Sequence, residues 1–593
     1  MLVRKSTAAA AILSIPLSEW TALNASVGGR LATTTPMAHP CFSTYLNGNG
    51  ENSQAPTSAI TCSQIRRNTA NSSFIADQPG GYIMHNFGTC QETNHGCSVT
   101  TSRWLLGTNL PGTCYQGSVP DYFIDVRTAG DVAAGLAFAQ KHSVPVVVKN
   151  TGHDYKGRSS APNSLMLWTH NLRPPVQFSP EFQPDGCEDS TGPVLTYGAG
   201  QGFLGIYEAA HANGMMAVGG TSPTVGASGG WVTGGGHSAL SPTHGLGVDN
   251  VVQMKAVLPN GTLITANRCQ NQDLFFALRG GGGGTFGVLM ETTSRVYPEV
   301  PLQHVVILAP SLNVMTGVDK LVELLVDNTP RWSADGWGGY MAGMAGGGYG
   351  IGFALVDMIT PKLTLEEAKI SMKPILDYAN SFFSHLSVPL KVEIKTEPNY
   401  WSYYNSQSAQ MLSNVGVGGS SAMASRLIPK ESFTAPKKAE LIATLTDIIK
   451  NAPVPGGFLM VPPAQHELPA TDQAGGPGEC SLTPAWRNSY WHMLFQKSWS
   501  QGDEKYGGSG SALAAFNATT MSANMIRAIT PEGAYQNEGD TFEPNPAESF
   551  WGQQNYDRLF RIKREVDPNN VLTCHQCIGW NPDDPRYRCY PRL

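Results

Sequence analysis

The sequence predicts an α+β chain of two domains, and three observations carry that reading. Residues 122–160 run strand, helix, strand and glycine-containing loop, an order that cradles phosphate groups. Residues 219–237 concentrate glycine among apolar residues, which lets backbone approach an extended ligand along its length. After about residue 300 strand-like and helix-like segments interleave, as in an α+β substrate domain. With 593 residues the chain is long enough for two or more cores.

Composition narrows the class. Apolar residues make up 41% and charged residues 14%, a globular balance, and the net charge of −6 gives no reason to expect nucleic acid or an anionic membrane as a partner. No run reaches the roughly 18 apolar residues of a membrane helix. Arg4 and Lys5, the apolar stretch Ala8 to Leu17 and the small residue Ala25 read as a secretory leader over 1–25. The eleven cysteines crowd both ends of the chain, the pattern of disulfides stapling poorly packed segments, and an odd number leaves one thiol over. Cys574-His-Gln-Cys577 also has the form of half a zinc site or a redox pair; with no second such pair, a disulfide is preferred and no metal is expected. Sequons at Asn24, Asn71, Asn260 and Asn517 suit an extracellular glycoprotein, though Asn24 would leave with the leader.

In chain order, 26–117 reads as a Cys-rich extension wrapped on the surface. Tyr122 to Val126 is a strand, and Thr128 or Asp131 caps a helix over Val132 to His142. The strand Val144 to Val148 leads into Asn150-Thr-Gly-His-Asp-Tyr-Lys-Gly157. A strand at Val194 to Gly198, a helix over Gly202 to Asn213 closed by Gly214, and a strand at Val251 to Val257 turned at Pro259-Asn-Gly261 follow. No Gly-x-Gly-x-x-Gly opens a helix, so a nicotinamide dinucleotide is disfavoured. Beyond 300, Val305 to Leu308, Trp337 to Met341, Tyr349 to Val356 and Val415 to Gly418 read as strands; Asp319 to Val326, Leu365 to Ala379 and Lys437 to Lys450 read as helices. Pro484 to His492 is expected on a strand, and the last helix ends at Asp567-Pro568.

A lone loop histidine is usually a surface residue, but the run Asn-Thr-Gly-His153-Asp-Tyr resembles the flavin-attachment loop of the berberine bridge enzyme-like oxidases, in the vanillyl-alcohol oxidase / p-cresol methylhydroxylase (PCMH) superfamily. The glycine stretch 219–237, the order helix–Arg279–polyglycine–Thr-Phe-Gly, Pro484-Ala-Trp-Arg487 and Trp551 to Asp567 extend the resemblance. It implies a two-domain FAD-binding PCMH-type fold: an FAD domain over 118–300, a substrate domain over 301–545 and a C-terminal segment, 546–593, that returns to the FAD domain. It also implies a covalent bond from His153 to FAD. Many relatives form a second bond through a cysteine near Ala227, but no cysteine lies between Cys187 and Cys269, so a single link is expected. Other cofactor contacts implied are Asn150, Thr151, Gly152, Asp154, Gly157 and Ser159 in the loop; Gly219, Thr221, Gly229, Gly230, Gly234, Gly235 and His237 in the second segment; and Val288, Asn555 and Tyr556.

The implied reaction is hydride transfer from a small-molecule alcohol, sugar or secondary metabolite to FAD, with O2 as oxidant and hydrogen peroxide as product. A base must take the substrate's O–H or N–H proton. Tyr155, His492 and Tyr404 are the candidates. A tyrosine needs a cationic neighbour to serve, so Lys156 or Arg158 would have to point at it. A secreted monomer is expected. Two other classes stay open: a flavin dehydrogenase with a non-oxygen acceptor, recognised by its lack of peroxide, and a redox-silent binding protein whose flavin no metabolite bleaches.

Overall fold

The computed structural model describes residues 12, 14–48, 58, 60–99, 110–311, 318–343, 352–383, 391–413, 416–454, 458–461, 468–499, 512–531 and 533–592. Arg4, Lys5 and half of the apolar stretch read as a leader lie outside them.

Two sheets hold the FAD-domain half. The first has the order Leu31–Thr33, Tyr122–Asp125, Leu165–Trp168, Val146–Lys149, with the last three strands parallel. Parallel strands need a crossover, and the helix Ala129–His142 provides it. Thr128 caps that helix and Asp131 completes a reciprocal capping box, so both residues picked from the sequence act together. The second sheet is antiparallel and carries Val194–Gly198, Val251–Val257, Leu263–Asn267 and Val288–Arg295.

The other half is one seven-stranded antiparallel sheet, running Lys391–Glu397, Leu302–Ser311, Gly352–Thr360, Gly338–Gly343, Phe458–Val461, Ser489–Trp499, Ser420–Pro429 across its width. Val305, Ile307, Met341, Trp491, Met493 and Phe495 share one core with residues of the helices Val318–Ala334, Leu365–Phe383, Lys438–Asn451 and Ala512–Arg527. Side chains alternate along a strand, so Tyr340 and His492 leave the sheet on the face away from that core.

The structure corrects two strand bounds and details two further expectations. The extension is not merely a surface wrap: Tyr82, Met84 and Phe87 are buried against Tyr155, and Ile83 N–H donates to Gly152 O at 3.1 Å. The expected leader boundary at Ala25 falls inside a helix, Leu17–Ser26, whose Trp20 stacks on Tyr122 at 4.1 Å between ring centroids and whose Leu23 is buried in the same core. Cleavage there would remove both from that core. Residues 416–418 form a turn, because Gly416 and Gly418 adopt φ of +79° and +75°; the strand starts at Ser420, and Val415 lies outside the described residues. Pro484–Trp486 is a short 3-10 turn, and the strand that carries His492 begins at Ser489.

Five disulfides pair Cys41–Cys62, Cys90–Cys589, Cys97–Cys114, Cys187–Cys269 and Cys574–Cys577, and Cys480 is free. Cys90–Cys589 joins the extension to the C-terminal tail across 499 residues.

Candidate active site

A deep cleft is lined on one side by Val146–Val148 and Asn150–Tyr155, by Gly220–Ser222 and by Gly282–Gly284, and on the other by Tyr340, Tyr535, Asn537 and Glu538. The loop that bears His153 is shaped by one carboxylate. Asp154 accepts the backbone N–H groups of Lys156 and Arg158 at 3.2 and 2.7 Å and the Arg158 side chain at 2.9 Å. Arg158 also donates to Asn537 Oδ1 at 2.8 Å, and Asn537 donates to Gly230 O at 3.0 Å and to the Tyr535 hydroxyl at 2.8 Å. The three lining segments are therefore cross-tied. Arg158 thereby holds the Asp154 carboxyl below its ordinary range against the opposing effect of burial.

Within the cleft, His153 Nε2 lies 2.7 Å from Thr224 Oγ1. Burial pushes the imidazole down to about 3, so it is neutral at ordinary pH and keeps a lone pair on one ring nitrogen. Below the loop, Lys149 Nζ donates to Gln78 O at 3.0 Å and lies 5.2 Å from the Tyr82 ring centroid, and burial lowers it to about 7.

The opposite wall holds three side chains drawn from far apart in sequence. Glu538 accepts from His492 Nε2 at 2.6 Å and lies 3.3 Å from His237 Nε2. The ligand atoms of these buried residues all lie within 4.8 Å of one another, which invites comparison with a metal site. The His492–Glu538 pair is hydrogen-bonded: at 2.6 Å it is closer than the roughly 3.3 Å that separates two ligands at about 2.0–2.1 Å from a tetrahedral ion. The two imidazoles keep Glu538 ionised, well below the usual carboxylate range although it is buried. Burial holds His492 below its ordinary value, partly offset by Glu538.

Of the residues singled out from the sequence, Asn150, Thr151, Gly152, His153, Asp154, Tyr155, Ser159, Thr221, Gly229, Gly230 and His237 line the cleft. Gly157, Gly219, Gly234, Gly235 and Val288 stand just behind it. Gly157 has φ +70° and a Cβ there would lie 2.4 Å from Phe87; one at Gly219 or Gly234 would lie 2.4 Å from Phe203 or 2.3 Å from Asn537. Gly235 backs onto Leu482 and Tyr535, and Val288 is buried between the lining residues Gly287 and Leu289. His492 sits behind Glu538, fully buried.

Three residues are elsewhere. Asn555 lines a separate surface groove and donates to Leu482 O at 2.8 Å, and Tyr556 packs between Trp551 and Phe560. The helix Gln553–Val566 buries Leu559 and Ile562 on the FAD domain and does not reach the cleft. Tyr404 packs on Tyr207 at 4.7 Å, outside the cleft lining. Nor does Lys156 serve Tyr155: its ammonium donates to Gln576 and lies 4.3 Å from the Phe550 ring centroid. Burial and the Glu538 charge raise the Tyr155 phenol far above its ordinary value, so it remains protonated.

Sequence reasoning missed Thr224, Tyr340, Tyr535, Asn537, Glu538 and Cys574, and did not place the polyglycine run in the cleft. The run Ala534-Tyr-Gln-Asn-Glu538 was the available signal, an aromatic and three polar residues starting two positions beyond a glycine.

The residues fit a dinucleotide cofactor. Asn150 Oδ1, Ser159 Oγ and Ser222 Oγ belong to cleft-lining residues and are buried with no hydrogen-bond partner among the described residues. A Cβ at Gly230 would meet no protein atom within 4 Å, and a Cβ at Gly283 would come within 2.8 Å of Gly230 Cα. Backbone here is bared to the cleft as a ligand of that length requires.

Known proteins agree. A family profile described as "FAD binding domain" matches residues 120–267, and one described as "Berberine and berberine like" matches 534–579. The FAD-linked oxidoreductase ffsJ of Aspergillus flavipes is 34% identical over 96% of this chain and 94% of its own, and cheF of Chaetomium globosum is 35% identical over 96% and 88%. The VAO-type flavoprotein MtVAO615 of Myceliophthora thermophila C1 superposes with a TM-score of 0.76 at 27% identity, covering 98% of both chains. Fold, cleft and relatives define a two-domain, FAD-binding oxidoreductase. The chain belongs to the FAD-linked oxidoreductases of the VAO and berberine bridge enzyme family.

Proposed function

We propose that this chain is a secreted oxidase carrying FAD on a single covalent bond to His153, and that it oxidises a small molecule at a C–H bond. The observation that carries the reading is the neutral, buried His153 imidazole, held at 2.7 Å from Thr224 in a cleft whose backbone is bared by glycine. No cysteine stands between Cys187 and Cys269 to form a second link. The five disulfides suit an oxidising compartment. The cofactor would supply the redox chemistry, taking hydride from the substrate and passing electrons to O2 to give hydrogen peroxide.

The protein's own part is binding, orientation and proton handling. Asn150, Ser159 and Ser222 supply polar atoms to the cofactor, and Tyr155, Tyr340 and Tyr535 wall the space beside it. Tyr155 stays a phenol and acts as a hydrogen-bond donor. The proton released by the substrate is taken up by the Glu538 carboxylate, which lines the cleft and is positioned by His237 and by His492 behind it. Such an arrangement requires Glu538 to be ionised, and the two imidazoles keep it so.

The reading is tested by anaerobic mixing with a panel of alcohols, sugars and amines. One class is expected to bleach the visible flavin band, and air should restore it with one peroxide per flavin. Bleaching without peroxide would make the protein a dehydrogenase; a band that no compound bleaches would make it a binding protein.

A further inference from the structure

The tyrosines that miss the cleft are not scattered. Residues 400–404, Tyr-Trp-Ser-Tyr-Tyr, form a short helix whose first turn is capped by the Asn399 side chain, accepting from Ser402 N–H at 2.9 Å. Helical spacing puts Tyr400, Tyr403 and Tyr404 on one buried face and leaves Trp401 partly exposed beside it. The rings form a continuous series. Tyr207 lies 5.2 Å from Tyr400 and 4.7 Å from Tyr404, Tyr400 lies 5.6 Å from Tyr403, and Tyr404 lies 6.0 Å from Trp401. Trp401 in turn stacks at 5.7 Å on His211, whose side chain is 40% exposed. At the inner end, Tyr207 donates to Gly220 O, in the cleft lining, at 2.8 Å, and cleft-lining Tyr340 is the direct cross-strand partner of Asp357.

Asp357 gives the series its chemistry. A phenol that loses an electron becomes a strong acid, so a vacancy passing along a row of rings comes to rest on the tyrosine whose proton has an acceptor. Tyr207 and Tyr400 donate to neutral oxygens, and the Tyr404 hydroxyl is buried with no partner among the described residues. Tyr403 alone of this helix's tyrosines donates to a carboxylate, Asp357 Oδ1, at 2.8 Å. Asp357 is itself held by His304, 3.3 Å away, and His304 by Glu397 at 3.0 Å.

We propose that these rings carry electron vacancies out of the cleft, with Tyr403 as the station where a vacancy rests and Trp401 as the exit to solvent. The proposal rests on the oxidase reading above, because an enzyme that makes peroxide risks one-electron oxidants of the peroxide-derived class inside its own cleft. The step balances as follows. One electron leaves Tyr207, hydrogen-bonded to the cleft lining at Gly220, for the oxidant and is replaced through Tyr400 from Tyr403. The Tyr403 O–H bond breaks, its electron goes inward and its proton passes to Asp357. A soluble thiol or phenol then returns one electron through Trp401, Tyr404, Tyr207 and Tyr400, and the proton returns from Asp357 to Tyr403.

The test needs no substrate. A laser pulse on the yellow holoenzyme, without oxygen, creates a one-electron oxidant in the cleft, and the radical is followed by its absorbance. The wild type should give a tyrosyl signal that survives at least tenfold longer than in Tyr403→Phe. Trp401→Phe, at a partly exposed position that spares the fold, should form the same radical but lose it to added ascorbate at least tenfold more slowly. Equal lifetimes in all three proteins, or no tyrosyl signal in the wild type, would reduce the cluster to ordinary core packing. A colourless preparation would instead contradict the flavin reading. The path is then probed from outside by photogenerated tris(bipyridine)ruthenium(III) and freeze-trapped electron paramagnetic resonance. There the signal should fall in both variants, and an unchanged signal overturns the path.

Discussion

The two walls of the cleft are built by opposite means. The FAD-domain wall is mainly backbone, presented by glycines and small polar residues in three tight segments, with one reactive side chain, His153. The facing wall is made of large side chains, Tyr340, Tyr535, Glu538 and, behind it, His492, delivered from a sheet and a returning segment far apart in sequence. The first wall can hold a long ligand but offers little selectivity. The second can choose a substrate and move its proton. A change in the first wall should therefore be read in folding and cofactor content, and a change in the second in rate.

The largest effect expected is on the second wall. Glu538→Gln removes the charge that His492 and His237 face, and should slow anaerobic flavin bleaching by about 10²–10⁴-fold, the usual worth of a positioned acid–base group, with flavin content unchanged. A proportional loss of flavin would break the division between the walls. On the first wall, Gly157→Ala forces a side chain into φ +70° and to 2.4 Å from Phe87, and should cost about 2–5 kcal/mol, read as a fall in the denaturation midpoint. Gly230→Ala has no such clash and an ordinary φ, so the fold should keep its stability while flavin content drops.

Acid should act on both walls. His85, His170, His492 and His575 are held neutral by burial, His85 and His170 down to about 4. Their folded values lie below the unfolded value near 6.5, so below that pH the unfolded chain binds protons that the native chain refuses. Stability is complete above about pH 6.5 and is lost as pH falls, by about 1.4 kcal/mol per unit for His85 alone down to about 4. Denaturation midpoints across that range measure it, and a flat profile would contradict the burial of these rings. The smallest effects are expected at Asn555→Ala and Tyr556→Phe, outside the cleft, which should change bleaching rates by less than about twofold, within the range of surface substitutions.

The contrast also explains what could be read without a structure. The backbone wall was legible because its function is local: a strand, a tight glycine turn and a histidine are consecutive residues, and the helix caps at Thr128 and Asp131 are too. Of the side-chain wall only His492 was picked out; Tyr340 was not, because it owes its place to strand alternation within a sheet whose register only the fold fixes. Asn555 and Tyr556 show the hazard of a nearby look-alike: the Tyr and Asn that serve the cleft are Tyr535 and Asn537, a short distance upstream. The role of the extension was hidden for the same reason, since nothing in its composition announces that Phe87 closes beneath Gly157 or that Trp20 meets Tyr122.

The central claim is that the cofactor is bonded to the histidine of the backbone wall. Denature the purified protein in acid, separate it from small molecules, digest it and map the flavin-bearing peptide. The account predicts that the yellow colour stays with the chain, on the peptide containing His153 and no other, and that His153→Ala releases it. Colour that leaves with the small molecules, or a flavin mapped to another residue, would contradict it.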